Sequence, residues 1–208
     1  MTAAPTTVPA PAPGNVTAVI LAGGLGRRMS ADGAGVDKGL VSFMGRPLVS
    51  HVIERLQTQV TAILLNTDPE SPSWKRFGLP LLGDHIAGRP GPLAGIHAAM
   101  LASRTPWILA VPCDTPRLPS DLLARLTRTQ LETGAKCVSV NCCGRSHPAT
   151  ALLHTSLQES VRVYLERGGR RIESWYGEID WAQTEFEDEH AFVNLNTPDE
   201  LRMLEAGS

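Results

Sequence analysis

Residues Val16 to Leu21 read Val-Thr-Ala-Val-Ile-Leu and run directly into Ala22-Gly23-Gly24-Leu25-Gly26-Arg27-Arg28-Met29. A short, nearly continuous apolar run that ends in glycines predicts a parallel strand buried on both faces. Sheets built from such strands are covered by helices on both sides, and they bind ligands beyond the carboxyl ends of their strands. The glycine loop therefore falls where a ligand is expected.

The rest of the chain repeats the alternation. Pro47 opens a helix carrying Leu48, Val49, Val52, Ile53 and Leu56 at helical spacing. Val60 to Leu65 is a second buried strand, Pro92 to Ser103 a helix, and Trp107 to Val111 a third strand. Ser120 is expected to cap the next helix, whose buried stripe is Leu122, Leu123 and Leu126. Lys136–Val140 and Ala149–Leu153 form a strand pair joined by a turn at Cys143-Gly144-Arg145. Leu157, Val161, Tyr164 and Leu165 mark a helix stopped by Gly168 and Gly169. Phe192 to Leu195 reads as a last short strand, and Thr197-Pro198-Asp199-Glu200 as a helix start with a capping box. The expected fold is α/β, a Rossmann-like three-layer sandwich whose mostly parallel sheet is covered by helices on both faces. Residues 15–206 form one domain, and residues 1–14, almost all Ala, Thr, Pro and Val, read as a disordered tail. Loops after Leu21, Leu65 and Val111 should converge on one cleft.

The formal net charge of -2 gives no broad basic field for nucleic acid, so an anionic ligand must be held locally. No apolar run is long enough to span a bilayer, and the first residues lack the basic start and apolar core of a secretory signal. The four cysteines, Cys113, Cys137, Cys142 and Cys143, form no C-x-x-C pair. They read as free thiols in a reducing cytoplasm.

Glycines after a strand let backbone N–H groups approach a polyphosphate, and Arg27 and Arg28 can add charge-assisted hydrogen bonds. A dinucleotide fingerprint is excluded, since Met29 stands where its third glycine belongs and no acidic residue ends a second strand about twenty positions on. A P-loop is excluded too, because Lys38 follows Asp37 rather than glycine. Lys38 can neutralise charge on a leaving pyrophosphate, or be a solvated surface cation. Asp114 follows the Trp107–Val111 strand and is placed to hold magnesium, which takes one or two carboxylates plus phosphate oxygens; the alternative is a turn cap before Thr115-Pro116. Asn66 ends the second strand and Asp84 follows Gly83. An ionised Asp accepts from the guanine N1–H and N2–H donors, and an Asn donates to O6 or N7; turn chemistry is the competing use of both. Of the six histidines only His147, in Ser146-His147-Pro148, belongs near a substrate.

The series Leu-Ala-Gly-Gly at 21–24 with Arg28-Met29, Asp37-Lys38-Gly39-Leu40, Gly45 to Leu48, Gly91-Pro92-Leu93-Ala94-Gly95, Pro112 to Pro116 and Phe192 to Leu201 resembles the molybdenum cofactor guanylyltransferase family, within the nucleotidyltransferases. These pieces span about residues 16 to 204. The resemblance implies transfer of GMP from GTP to the terminal phosphate of molybdopterin, with release of pyrophosphate. It implies that Leu21, Ala22, Gly23, Gly24, Lys38, Asn66, Asp84 and Asp114 contact the nucleotide. Asp114 would hold Mg2+ (Mn2+ as a substitute), and Lys38, Arg28 and Asp114 would act in catalysis. Asn194, Asn196, Arg145 and His147 would form the acceptor or second-metal site, with Arg170 and Arg171 facing the pterin or starting a solvated helix. The implied partners are GTP, molybdopterin, other cofactor-biosynthesis proteins and molybdoenzyme chaperones, with no nucleic acid and no membrane, in the cytoplasm. The segment Ser30 to Val36 is longer than is usual in the family and is expected to order over the triphosphate. Rival readings are the CTP-dependent cytidylyltransferase, a relative that activates sugar phosphates or methylerythritol phosphate, and a non-catalytic nucleotide or cofactor chaperone.

Overall fold

The computed structural model describes residues 9–23, 37–85, 91–195 and 197–206. Gly24 to Val36, with Arg28 and the Ser30–Val36 segment, lie outside the described residues, as does Asn196.

Strand β1 (Val16–Leu21) is the third strand of a seven-stranded sheet, next to its central strand. Beside it run β4 (Ala62–Asn66) on one side and β6 (Trp107–Pro112) on the other, both parallel to it. Beyond β4 lies the two-residue β5 (Leu81–Leu82), also parallel. On the far side of β6 come β8 (Arg145–His154), β7 (Cys137–Cys142) and β9 (Trp181–Phe186), giving the order β5-β4-β1-β6-β8-β7-β9. Only β8 runs against its neighbours; β9 is parallel to β7. A separate hairpin, β2 (Ser42–Phe43) with β3 (Arg46–Pro47), precedes the first long helix.

Alternation along β1 splits the core into two layers. Val16, Ala18 and Ile20 face helices α1 (Leu48–Gln57), α2 (Pro72–Lys75) and α4 (Leu122–Thr133). Val19 and Leu21 face α3 (Pro92–Ala102), α5 (Gln158–Glu166) and α6 (Ile172–Tyr176). β6 divides in the same way, Trp107, Leu109 and Val111 on one face and Ile108 and Ala110 on the other. Period-two strands between two helical layers explain why these runs carry no polar face. Each fully buried Val, Leu or Ile contributes roughly 1.5–3 kcal/mol.

Turn chemistry fixes both hairpins. Cys143 (φ 51°) and Gly144 (φ 77°) join β7 to β8, and Met44 (φ 48°) and Gly45 (φ 74°) join β2 to β3. Two consecutive positive-φ residues match the right-handed twist of the strands they connect.

Residues 9–14 make contacts with the domain: the carbonyl of Pro9 accepts from Trp107 Nε1 (2.8 Å), Asn15 Nδ2 donates to Ala10 O (2.6 Å), and Pro11 is buried. Two expectations are corrected. Ser120 does not cap α4. Asp121 holds the cap position without a side-chain bond, and the buried first-turn amide of Leu123, which has no intrahelical partner, is taken instead by Gln59 Oε1 (2.9 Å) from beyond α1. Phe192 to Leu195 is not a strand. Its apolar residues anchor a loop: Phe192 packs on Phe186 (4.9 Å) and Leu195 joins Phe43, Leu48 and Leu201 in a small third core. The capping box of α7 (Pro198–Ala206) forms as expected, Thr197 N donating to Glu200 Oε2 (2.9 Å) and Glu200 N to Thr197 Oγ1 (3.2 Å).

Candidate active site

The sheet register brings four strand ends into one row. Leu82 pairs with Asn66, Asn66 with Leu21, and Leu21 with Pro112. Gly23 and Asp114 each lie two residues past neighbouring parallel strands and emerge on the same side of the sheet. Backbone bonds carry the row beyond the strands, Ala22 N donating to Asn66 O (2.9 Å) and Cys113 N to Leu21 O (3.2 Å). The loops after Leu21, Asn66 and Pro112 therefore converge.

On the β4 side the loops after Leu21 and Asn66, with Asp37 and Asp84, enclose a cleft of about 420 Å³ whose walls also include Ala22, Gly23 and Thr67. Asn66 is buried, and its Nδ2 donates to Asp84 Oδ1 (2.9 Å) and Leu82 O (3.1 Å). Both donors are thus turned toward β5, and the amide oxygen is left facing Gly95 and Gly23. Asp84 itself is exposed at the cleft wall.

Lys38 Nζ forms an ion pair with Asp114 Oδ2, both side chains mostly buried. The lysine comes from the short helical turn Lys38–Leu40 and the aspartate from the end of β6. A lone charge at either position would be costly to desolvate, and the pairing answers that cost. The neighbouring Cys113 thiol is pushed up to about 12, chiefly by burial and then by the Asp114 charge. It is no nucleophile.

A second cleft of about 300 Å³ opens on the β8 side, lined by Pro112, Arg145, His147, Arg170, Arg171 and Asn194 among others. Its position follows from strand length. β6 ends at Pro112, but the antiparallel β8 begins well beyond it, since Ala110 pairs with Ala151 and six residues of β8 precede that pair. Arg145 and His147 therefore overhang the end of β6. Leu195 N donates to Asp114 O (3.1 Å), which holds Asn194 against the same point. α3 begins with Pro92 in this cleft, so the partial positive charge of its N-terminus favours an anion there. His147 stacks obliquely on Phe192 (5.3 Å), and burial, with help from Arg145, lowers its pKa below 6.5. Arg170 is partly committed elsewhere, Nη1 donating to Gly169 O (2.7 Å) and Leu165 O (3.1 Å) past the end of α5. The Arg171 carbonyl accepts from Tyr164 Oη (3.0 Å), which fixes the backbone of this wall.

Asp114 lies two residues past Pro112, which lines the second cleft, and its partner Lys38 follows Asp37, which walls the first. Among the described residues no three His, Cys, Asp or Glu side chains gather into a metal cage. A strand-end carboxylate such as Asp114, held here by Lys38, is nevertheless the kind of donor that magnesium takes alongside phosphate oxygens and its own waters.

The model of the MobA-like NTP transferase domain matches residues 18–179. The molybdenum cofactor guanylyltransferase of Shewanella pealeana is 40% identical over 190 residues, covering 91% of this chain and 93% of its own length. That of Cupriavidus taiwanensis is 40% identical over 197 residues, covering 92% and 97%. This chain belongs to the molybdenum cofactor guanylyltransferase family. A solved structure of molybdopterin-guanine dinucleotide biosynthesis protein A from Archaeoglobus fulgidus shares the fold, with a TM-score of 0.75, 24% identity and coverage of 92% of this chain and 97% of that one.

Of the residues expected from the guanylyltransferase resemblance, Leu21, Ala22, Gly23, Lys38, Asn66, Asp84 and Asp114 gather along one row of strand ends, and Arg145, His147 and Asn194 form the adjoining cleft. Gly24, Arg28 and Asn196 lie outside the described residues. Sequence reasoning missed the Lys38–Asp114 pairing across 76 residues, and it missed Thr67 and Asp37 as walls of the guanylyltransferase's first cleft. The only signal for Thr67 was its place one residue past a strand end.

Proposed function

We propose that this chain transfers GMP from GTP to the terminal phosphate of molybdopterin, releasing pyrophosphate and forming the guanine dinucleotide cofactor. The observation that carries this reading is the Lys38–Asp114 ion pair, flanked by one cleft walled by Asp37, next to Lys38, and by another lined by Pro112 at the end of β6. A nucleotidyl transfer needs two anionic reactants brought together across a charge-neutralising centre.

In this reading the first cleft takes the nucleoside, with Asp84 accepting from the guanine N1–H and N2–H and the loop amides around Gly23 cradling the phosphates. The second cleft takes the acceptor, whose anionic groups meet Arg145 and the N-terminus of α3. Asp114 would hold Mg2+ or Mn2+, which supplies neutralisation of the α- and β-phosphate oxygens when bound. Lys38 transfers its ammonium from Asp114 to the leaving pyrophosphate, and Arg28 adds to that charge. The acceptor's phosphate oxygen attacks the α-phosphorus, the bond to the bridging oxygen breaks, and pyrophosphate leaves. A phosphate is already anionic at neutral pH, so no general base is needed. The neutral His147 is accordingly a hydrogen-bonding wall rather than a proton acceptor from a hydroxyl. Barrier lowering then rests on alignment and electrostatics.

The four cysteines are free, which suits a reducing cytoplasm, and among the described residues no helix is long and apolar enough to cross a membrane. We expect delivery of the product to other cofactor-biosynthesis proteins or molybdoenzyme chaperones.

The test is competition of GTP, ITP and CTP in a pyrophosphate-release assay with molybdopterin and Mg2+. GTP should win over CTP, and ITP, lacking the 2-amino group, should lose roughly tenfold, about the worth of one charge-assisted hydrogen bond. Asp84→Asn should narrow the GTP–ITP gap. A preference for CTP would overturn the guanine assignment, and tight GTP binding without pyrophosphate would favour a chaperone.

A further inference from the structure

Trp74 is fully buried, and its indole Nε1 has no hydrogen-bond partner among the described residues. A buried unpaired donor costs roughly 1–3 kcal/mol, so it is the shape of the ring that the site uses. That shape reaches the catalytic centre from behind. The far edge of the indole, Cη2, lies 2.6 Å from where a Cβ on Gly39 would stand, and Cys113 closes the same spot with Cβ at 3.2 Å and Sγ at 3.3 Å. Gly39 follows Lys38, and Cys113 precedes Asp114. The three-way contact therefore sits one residue away from each member of the ion pair. The same indole hangs from the turn at Asp68–Ser71, whose residues wall the first cleft, with Trp74 N donating to Ser71 O (3.2 Å) and Glu70 N to Asp68 Oδ1 (2.9 Å).

We propose that Trp74 is a positioning residue for nucleotidyl transfer: its indole edge presses Gly39 against Cys113, sets Lys38 on Asp114, and ties that pair to the nucleoside wall. This rests on Lys38 and Asp114 being the phosphate-handling groups. Gly39 is the only residue type that admits the edge, since any Cβ there overlaps the ring or Cys113. Shortening the ring frees the Lys38 turn, and adding a methyl group pushes it outward. Either change displaces the ammonium by a fraction of an ångström to an ångström, enough to cost on the order of tenfold to a hundredfold in turnover.

The test is a double-mutant cycle on the full-length enzyme with GTP, Mg2+ and molybdopterin. Trp74→Phe should lower kcat about tenfold with KM for GTP changed less than about threefold, and Gly39→Ala should lower kcat by about ten- to a hundredfold. The combination should recover kcat to within about threefold of wild type, because the alanine methyl occupies the space the shortened ring vacates. If Gly39→Ala alone fails to fold by circular dichroism, folding of the double variant and the kcat of Trp74→Phe decide instead. A purely structural tryptophan would lower the melting temperature and leave kcat per folded enzyme unchanged. Wild-type kcat in Trp74→Phe, or losses that multiply in the double variant, would overturn the proposal. Asp114→Ala run alongside separates the two readings. If it is inactive while the Trp74 variants behave as wild type, only the positioning role falls; if it is active, the phosphate-handling assignment fails first.

Discussion

Gly95 makes room for the side chain of Asn66: a Cβ on Gly95 would overlap the amide oxygen of Asn66 and stand 2.7 Å from its Cγ and 2.9 Å from Leu21 Cδ2. The glycine is in the first turns of α3, so its backbone is helical and the demand is for space alone. With its oxygen held there, Asn66 points Nδ2 at Asp84 and Leu82, which fixes the wall of the first cleft.

Gly95→Ala should therefore act on nucleotide binding more than on turnover. The added methyl forces Asn66 to rotate and drags Asp84 with it, so KM for GTP should rise about tenfold, alongside an overpacking cost of about 1–3 kcal/mol in stability. Steady-state kinetics together with a denaturant titration reads both. An unchanged KM would show that the Asn66–Asp84 bond plays no part in holding the base.

The second cleft makes a separable prediction. Arg145 stands where β8 overhangs β6, beside His147 and Asn194 and apart from the nucleoside wall. Arg145→Ala should raise KM for molybdopterin by about ten- to a hundredfold, the worth of a charge-assisted contact, and leave KM for GTP near wild type. A rise in KM for GTP alone would exchange the two clefts.

His97 gives a pH signature unconnected with the chemistry. It is buried on α3 with neither ring nitrogen hydrogen-bonded among the described residues, and desolvation, with smaller effects from His85 and Arg162, lowers its pKa below 6.5 despite the opposing charges of Glu159 and Glu166. A base whose folded pKa lies below its unfolded one binds its proton later in the folded state. Its neutral form thus contributes stability that is present above pH 6.5 and is lost as pH falls through the lowered value. His147 and His154 shift in the same direction through burial. His97→Leu should raise the melting temperature at pH 7 by about 2–4 °C for each kcal/mol of relieved desolvation, and it should flatten the decline between pH 7 and pH 5. Melting curves across that range check it; a steeper acid decline in the variant would contradict it.

Much of this was legible from the chain because two signals were strong. Continuous apolar runs at Val16–Leu21 and Trp107–Pro112 have no polar face, which only a sheet covered on both sides allows. The glycines after Leu21 and the aspartate after the second run then had to lie along one edge. What was hidden depended on distant contacts. Gln59 replaces Ser120 at the start of α4 from 64 residues away, and nothing local announces it. β9 is half exposed and mixes Gln, Thr and Glu with its apolar residues, so period-two reasoning had little to grip. Phe192 and Leu195 imitate a strand, but their burial serves a loop that brings Asn194 to Asp114. The Lys38–Asp114 pair joins two turns whose approach only the sheet register determines.

The most direct test of the account replaces Asp114 by alanine and follows pyrophosphate release from GTP with molybdopterin and Mg2+, with folding checked by circular dichroism. The account predicts a folded enzyme whose turnover falls by at least about a thousandfold, because the carboxylate that would hold the divalent cation and pairs with Lys38 is gone. Turnover near that of wild type would contradict it.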